Sequence, residues 1–514
     1  MEGLLQGFVV VLTPLNFVFA LLGAFLGTLV GVLPGIGPIG AMALLLSATY
    51  TLPPSTALIM FAGIYYGSMY GGSTTSILVN IPGEPSSVVT CLDGNQMARK
   101  GRGGSALFIA AIGSFIAGTI ALLLLTFLAP LLAEAALKFG PPEFFAIAVF
   151  GLIVLSQLSG QGLLKSFLMI GLGILLSTIG LDVITGRPRL TFGTISLQQG
   201  IDFVPIAMGL FGVAEVLQVA EEKVKGKKQV VRVRLRELLP NRLEARRSAG
   251  PVIRGSFLGF LTGLIPGPAA VISTFLSYTL ERKLSRNPKE FGQGAPEGVA
   301  GPESANNASA VGAFVPLLSL GIPFAPPTAL LLSAMMIHGV TPGPLLIQQR
   351  PDVFWGVIAS MYIGNFMLLA LNLPLVGLFI NVLRTPKNLL MPCILLLCIV
   401  GGFAVNNSVV DLWIMLLAGI LGFVLKKLNF SVAPLVLALV IGPMLEDSLR
   451  QSLMLSQGDM SVFYTHPLSR YLFLFAGVIV LTPALLRVLK KKPASGKRSA
   501  PRPDRRKDPG SAAG

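Results

Sequence analysis

Histidine, cysteine and charge are all scarce in this chain of 514 residues, and each scarcity removes a class of function. The two histidines, His338 and His466, show no His-Glu-x-x-His spacing, which excludes a zinc hydrolase. Cys91, Cys393 and Cys398 lie in or beside apolar segments at no zinc-like spacing, so they read as small buried side chains and no structural metal is expected. Charged residues make up only 12% of the chain, and no stretch is left over for a soluble domain of ordinary size. There is no Gly-x-x-x-x-Gly-Lys-Ser/Thr to cradle nucleotide phosphates. A polytopic membrane enzyme acting on a lipid-linked substrate needs Asp, His, Lys or Ser with activating neighbours, whereas the loops offer scattered basic residues, so neither an enzyme nor a cofactor is expected. Met1-Glu2-Gly3 lacks the basic start of a secretory signal.

What the chain has in abundance is apolar sequence: 53% of residues are hydrophobic and the mean hydropathy is +0.76. Windows of about 20 apolar residues recur along nearly the whole length, which makes this an all-α polytopic membrane protein embedded in a lipid bilayer. The formal charge of +16 is gathered into a few interhelical stretches. That pattern marks cytoplasmic loops, not a nucleic-acid partner.

An internal repeat organises the chain. Gly23-Ala-Phe-Leu-Gly27-Thr-Leu-Val-Gly31-Val-Leu-Pro34-Gly35 aligns without gaps on Gly255-Ser-Phe-Leu-Gly259-Phe-Leu-Thr-Gly263-Leu-Ile-Pro266-Gly267, with eight of thirteen positions identical. Glycines at every fourth position share one helix face and admit a close neighbour, so Gly27 and Gly259 read as packing positions and Pro34-Gly35 and Pro266-Gly267 as helix breaks. The expected organisation is a first transmembrane repeat over 1–220, a basic cytoplasmic linker over 221–250, a second repeat with further helices over 251–489, and a disordered basic cytoplasmic tail over 490–514. Seven crossings before the linker would make the two pseudo-symmetric repeats inverted, with discontinuous helices, re-entrant hairpins and roughly 12–15 membrane segments in all. Any Pro-interrupted run that enters and leaves on one side would change that count.

Between Tyr70 and Ser87 the chain reads Gly71-Gly72-Ser73-Thr74-Thr75-Ser76-Ile-Leu-Val-Asn80-Ile81-Pro82-Gly83-Glu84-Pro85-Ser86-Ser87. Pro82 and Pro85 each lack a backbone donor, so this is no unbroken helix, and broken backbone at membrane depth survives only inside protein or beside a wet cavity. A looser echo follows in the second half, where Gly301-Pro-Glu303-Ser304-Ala-Asn306-Asn307-Ala-Ser309 takes the place of the Gly71-to-Ser76 cluster and Gly321-Ile322-Pro323-Phe324-Ala325-Pro326 that of the Ile-Pro break.

Gly31-Val-Leu-Pro34-Gly35, Tyr66-Gly67-Ser68-Met-Tyr70-Gly71-Gly72-Ser73-Thr74-Thr75-Ser76, Asn80-Ile81-Pro82-Gly83-Glu84, Glu303-Ser304-Ala-Asn306-Asn307-Ala308 and Leu320-Gly321-Ile322-Pro323 closely resemble the large membrane subunit of tripartite tricarboxylate transporters. The resemblance spans roughly Leu15 to Val480. It implies a bacterial inner-membrane carrier that works with a small four-helix membrane subunit and a periplasmic solute-binding protein. Its solute would be an organic carboxylate, and the driving gradient one of Na⁺ or H⁺. On that footing Gly71, Gly72, Ser73, Thr74, Thr75 and Asn80 are expected to face Ser304, Asn306, Asn307 and Ser309 across a di- or tricarboxylate, held by half-helix N–H groups and polar side chains. Interhelical hydrogen bonding is the plainer role for the same residues. Glu84 and Glu303, together with carbonyls freed at Pro82 and Pro323, are the candidate ligands of the coupling cation. Glu84 also suits the cap of a helix starting at Ser86. An anion channel is the other transport class compatible with these residues.

Overall fold

The computed structural model describes residues 2–33, 37–158, 162–182, 185–221, 238–375 and 387–490. Its helices in chain order are α1 (Glu2–Val11), α2 (Pro14–Val32), α3 (Gly37–Leu46), α4 (Pro54–Val79), α5 (Val88–Met97), α6 (Gly103–Ala136), α7 (Pro141–Leu158) and α8 (Leu163–Ser177). There follow α9 (Phe203–Glu221), α10 (Arg242–Gly263), α11 (Ala269–Leu284), α12 (Glu297–Gly312), α13 (Phe314–Leu320) and α14 (Pro326–Ile337). The last five are α15 (Pro351–Asn372), α16 (Lys387–Asn406), α17 (Val409–Lys427), α18 (Ala433–Leu455) and α19 (Pro467–Lys490). A two-stranded antiparallel ribbon, β1 (Gly180–Leu181) with β2 (Pro188–Arg189), sits in the loop after α8. The fold is therefore all-α, and among the described residues five helical stretches are long and apolar enough to cross a membrane: α2, Pro85–Ala136, α9, α15 and α17. Pro34 and Gly35, most of the basic linker and the tail beyond 490 lie outside the described residues.

The glycine phrases do what their spacing predicts. A Cβ on Gly23, Gly27 or Gly31 would run into the backbone of Met60, Ile64 or Ser68, so α2 lies directly on α4. In the same manner Gly255, Gly259 and Gly263 on α10 meet Gly301, Ala305 and Ser309 on α12. Residue numbers rise together in both pairs, so each pair of helices is parallel. Between α10 and α12 runs α11, antiparallel to α10 and tied to it by Arg254, whose Nε and Nη2 reach Glu281 at 2.8 and 2.5 Å. The run from Arg242 to Leu284 is thus a helical hairpin. Its tip reaches the second break, where Gly267 donates to the Phe324 carbonyl at 2.9 Å.

The segment is broken at its proline stretch, as expected, and one other expectation changes. The hydroxyl cluster lies within its helix: α4 runs on to Val79, with Ser76 donating back to the Gly72 carbonyl at 3.0 Å. Such back-bonding lets hydroxyl side chains stay helical without stranding a donor. The second-half echo is also shifted along its helix. Gly71 packs on Thr28 and Gly31 as Gly312 packs on Phe260 and Gly263, so Gly312 is the counterpart of Gly71 and Gly301 that of Met60.

The true interruptions are alike. Asn80 closes α4 at φ 57° and Gly321 closes α13 at φ 71°, both left-handed, the conformation that ends a helix by turning the chain off its axis. Four residues later Glu84 (φ −141°) and Ala325 (φ −133°) are extended, and each donates its N–H to a hydroxyl three positions on, Ser87 at 3.3 Å and Thr328 at 3.1 Å. A proline then opens the next helical turn in both cases.

Because the glycine contacts are backbone on backbone, Gly27→Val and Gly259→Val should each cost about 1–3 kcal/mol or more of overpacking strain. Gly171→Val on α8, where an added Cβ meets nothing within 4 Å, serves as control. Size-exclusion profiles of the purified variants should show a lost monodisperse peak for the first two and an unchanged one for the control.

Candidate functional site: two buried carboxylates between the helix breaks

The break after α4 folds the chain back so that Glu84 returns to the level of Gly72. A Cβ at Gly72 would lie 2.8 Å from Glu84 Cγ, so glycine there is what admits the carboxylate. Glu84 is 5% exposed and Glu303, arriving on α12, 1%. Ser73 and Thr90 donate to the two oxygens of Glu303. Ser86 Oγ donates to Glu84 Oε1 at 2.9 Å, and Asn306 Nδ2 reaches the same oxygen at 3.3 Å. Glu303, Asn306 and Asn307 stand at i, i+3 and i+4 and so share one face of α12. Asn307 Nδ2 donates to Ser114 Oγ on α6 at 2.6 Å and to the Glu303 carbonyl at 3.1 Å.

Donors are spent here and acceptors are left over. The Oδ1 atoms of Asn306 and Asn307 are buried with no hydrogen-bond partner. Among the described residues no Lys, Arg or His ion-pairs with Glu84 or Glu303. Two carboxylates within electrostatic reach of each other, out of water and without a basic partner, need a cation or a proton to remain there.

The structure brings together Gly72, Ser73, Glu84, Glu303, Asn306 and Asn307 from the expected set. The others go elsewhere. Gly71 is a packing residue against α2, and Thr75 donates to the Val32 carbonyl at 2.8 Å where α2 ends. Thr74 faces a small chamber walled by Tyr70, Ser73, Ser114 and Asn372. Asn80 is exposed at the left-handed end of α4. Ser304 is turned toward Gly113 and Gly255, and Ser309 lends its backbone to Gly263. Pro82 and Pro323 sit in their respective breaks. A far larger cavity of about 1100 Å³ lies away from these carboxylates, between the loop after α8, the ends of α14 and α16, and α18.

Two polar residues outside the expected site set hold its surroundings in place. Asn365 on α15 accepts from Tyr66 and Tyr70 at 2.9 and 2.8 Å and donates to the Phe115 carbonyl and Thr119 at 2.9 and 3.1 Å, so it fixes both tyrosines beside the site. An amide in so apolar a helix was the available signal. Asp93 is the other. Its Oδ1 accepts from the backbone N–H groups of Gly292, Gly294 and Ala295 at 2.9, 2.7 and 2.8 Å, and Oδ2 from Tyr278 at 2.8 Å. Alongside, Arg102 binds Glu244 at 2.5 Å and the Gly294 carbonyl at 2.9 Å, and Lys100 the Gln293 carbonyl at 2.6 Å. This seam joins α5 to the loop that launches α12, and so holds Glu303 and Asn306 in register with Glu84.

Residues 17–437 match the family model described as the tripartite tricarboxylate transporter TctA family. The chain belongs to this family. It is 50% identical over 489 residues to a protein of Agrobacterium vitis described as "Uncharacterized 52.8 kDa protein in TAR-I ttuC' 3'region", covering 95% of this chain and 96% of that one. A second protein of the same organism, "Uncharacterized protein in TAR-II ttuC' 3'region", is 47% identical over 234 residues, which is 46% of this chain and 96% of the relative. No solved structure matches. As a TctA-family chain with membrane-spanning helices, the protein is the multi-pass membrane component of a tripartite tricarboxylate transporter.

Removing Asp93 by Asp93→Ala would strand the buried N–H groups of Gly294 and Ala295 at about 1–3 kcal/mol each. Asp93→Asn keeps an acceptor for both. Thermal melts of the purified protein should therefore rank wild type above Asn and Asn well above Ala.

Proposed function

We propose that the chain is the permease that moves a di- or tricarboxylate inward across the bacterial inner membrane, coupled to entry of Na⁺ or H⁺. On this reading a periplasmic solute-binding protein delivers the anion, a small four-helix subunit completes the membrane complex, and the basic tail is cytoplasmic. The observation that carries it is the meeting of Glu84 and Glu303 where α4 breaks, both buried and both without a basic partner.

Electrostatics sets the order of events. An anionic solute approaching two uncompensated carboxylates at low dielectric is repelled, so the cation has to arrive first. With the carboxylates neutralised, the hydroxyls of Ser73 and Thr74, the amide of Asn306 and the N–H groups at the breaks become usable contacts, and a solute held by donors instead of fixed positive charge is free to leave again. The cation lost to the cytoplasm restores repulsion and expels the anion. Coupling thus follows from charge balance without any separate gate.

The parallel glycine pairs and the matched helix breaks support reading the halves as copies of one unit, and an inverted pair of such units would rock to expose the site to either side.

Reconstituted with its partner subunits, the protein should concentrate labelled tricarboxylate under an inward cation gradient. Glu84→Gln and Glu303→Gln keep an acceptor oxygen but remove the charge, so solute exchange should survive while gradient-driven accumulation falls by about tenfold or more, the factor carried by 1.4 kcal/mol. Accumulation at the wild-type level in both variants would remove the carboxylates from coupling.

A further inference from the structure

The open end of the α10–α11 hairpin carries positive charge that its own acids do not balance. Glu244 is taken by Arg102, Glu281 by Arg254, and Glu290 and Glu297 by Arg247. Arg246 on α10, Arg282 and Lys283 on α11 and Arg286 in the loop that follows are exposed, and none of them pairs with an acid among the described residues. Arg254 turns back over Gly250 to reach Glu281, so the end of α11 comes level with the first turns of α10 and these four charges lie at one height.

Each charge stands in line with bare apolar surface. Arg246, Ile253, Phe257 and Leu261 follow one another at helical spacing along the exposed face of α10. On α11, Phe275 and Arg282 are seven residues apart on the exposed face, and so are Leu276 and Lys283. At 1.5 Å per residue the α10 stripe from Ile253 to Leu261 is about 12 Å long, close to the apolar depth of one leaflet, roughly 15 Å. Arg246 lies about 10 Å beyond Ile253, where a guanidinium meets headgroups.

An anionic phospholipid has both parts in this order, acyl chains against the stripe and a phosphate at its end. Guanidinium takes phosphate through two parallel hydrogen bonds. A zwitterionic lipid brings its own cation to the phosphate and so leaves the surplus charge on the hairpin uncancelled. We propose that the outer face of the α10–α11 hairpin binds anionic phospholipid, its phosphates held by Arg246, Arg282, Lys283 and Arg286 and its acyl chains lying along the apolar stripes above them. Such binding is independent of which cation drives transport. Because α10 lies directly on α12, lipid held there also steadies the helix that carries Glu303.

The test is native mass spectrometry of the detergent-purified full-length protein titrated with phosphatidylglycerol or phosphatidylcholine. Phosphatidylglycerol should be retained about tenfold more tightly or better. Arg246→Gln combined with Lys283→Gln should weaken it about twentyfold, roughly fivefold per basic residue, and leave phosphatidylcholine unaffected. Arg246→Lys combined with Lys283→Arg should keep the preference, and Lys138→Gln, an exposed charge just beyond the far end of α6, should leave it unchanged. Arg282→Gln combined with Arg286→Gln repeats the test should the first pair fail to fold. Equal retention of the two lipids by wild type, or wild-type affinity for phosphatidylglycerol in both Gln pairs, would overturn the proposal. Displacement of phosphatidylglycerol by an equal concentration of inorganic phosphate would also overturn it, because a bare phosphate would then be the ligand.

Discussion

Backbone that leaves the helix in a bilayer has nowhere to turn but protein, and that requirement shapes this molecule more than any side-chain contact. Each break is solved locally by one device: a left-handed residue ends the helix, an extended stretch turns back along it, and a hydroxyl three residues on takes the next N–H before a proline restarts the turn. The device needs space, because the returning strand runs alongside the helix it has just left. The glycine faces supply that space. Gly83 fits only because Gly31 and Gly72 present bare backbone to it, and the same glycine phrase that brings α2 onto α4 therefore admits Glu84 as well.

Around this scaffold the polar groups divide by function. At the basic end, charges pair with charges: Arg102 with Glu244, Arg247 with Glu290 and Glu297, Arg254 with Glu281. At the breaks no such pairing occurs. Pairs that are partly exposed contribute little to stability and fix register instead, whereas Glu84 and Glu303, which have no basic partner among the described residues, are costly to bury as anions.

The sequence made the family, the helical membrane architecture, the glycine packing and both acidic residues legible, because a carboxylate or a repeated glycine face stands out in apolar surroundings. It misplaced the second-half cluster because the glycine phrases and the Ile-Pro breaks repeat at different offsets: the register that aligns Gly23 on Gly255 does not align Asn80 on Gly321. It misjudged Thr75, Asn80, Ser304 and Ser309 because residue type says nothing about which way a helical side chain points. Asn365 and Asn372 were passed over because they lie in a long apolar helix with no break, although they wall and fix the site from the side that α4 faces.

The two breaks share geometry but not chemistry, and that asymmetry bears on how the site works. Where the first carries Glu84 the second carries Ala325, preceded by Phe324, which packs in an apolar cluster with Ile147, Ile322 and Ile441. The second carboxylate comes instead from the body of α12, where Ser73 and Thr90 fasten Glu303 to α4 and α5. Glu84 touches α12 only through the long contact to Asn306 at 3.3 Å. The first break is thus the polar and lightly held partner, and the second the greasy and firmly packed one. All three contacts join the two halves, so a displacement that separates them has to break both Glu303 hydroxyl bonds as well as the long Glu84–Asn306 contact. Of the two acids, Glu303 is the one held firmly across the two halves, and Glu84 the one held across them by a single long contact.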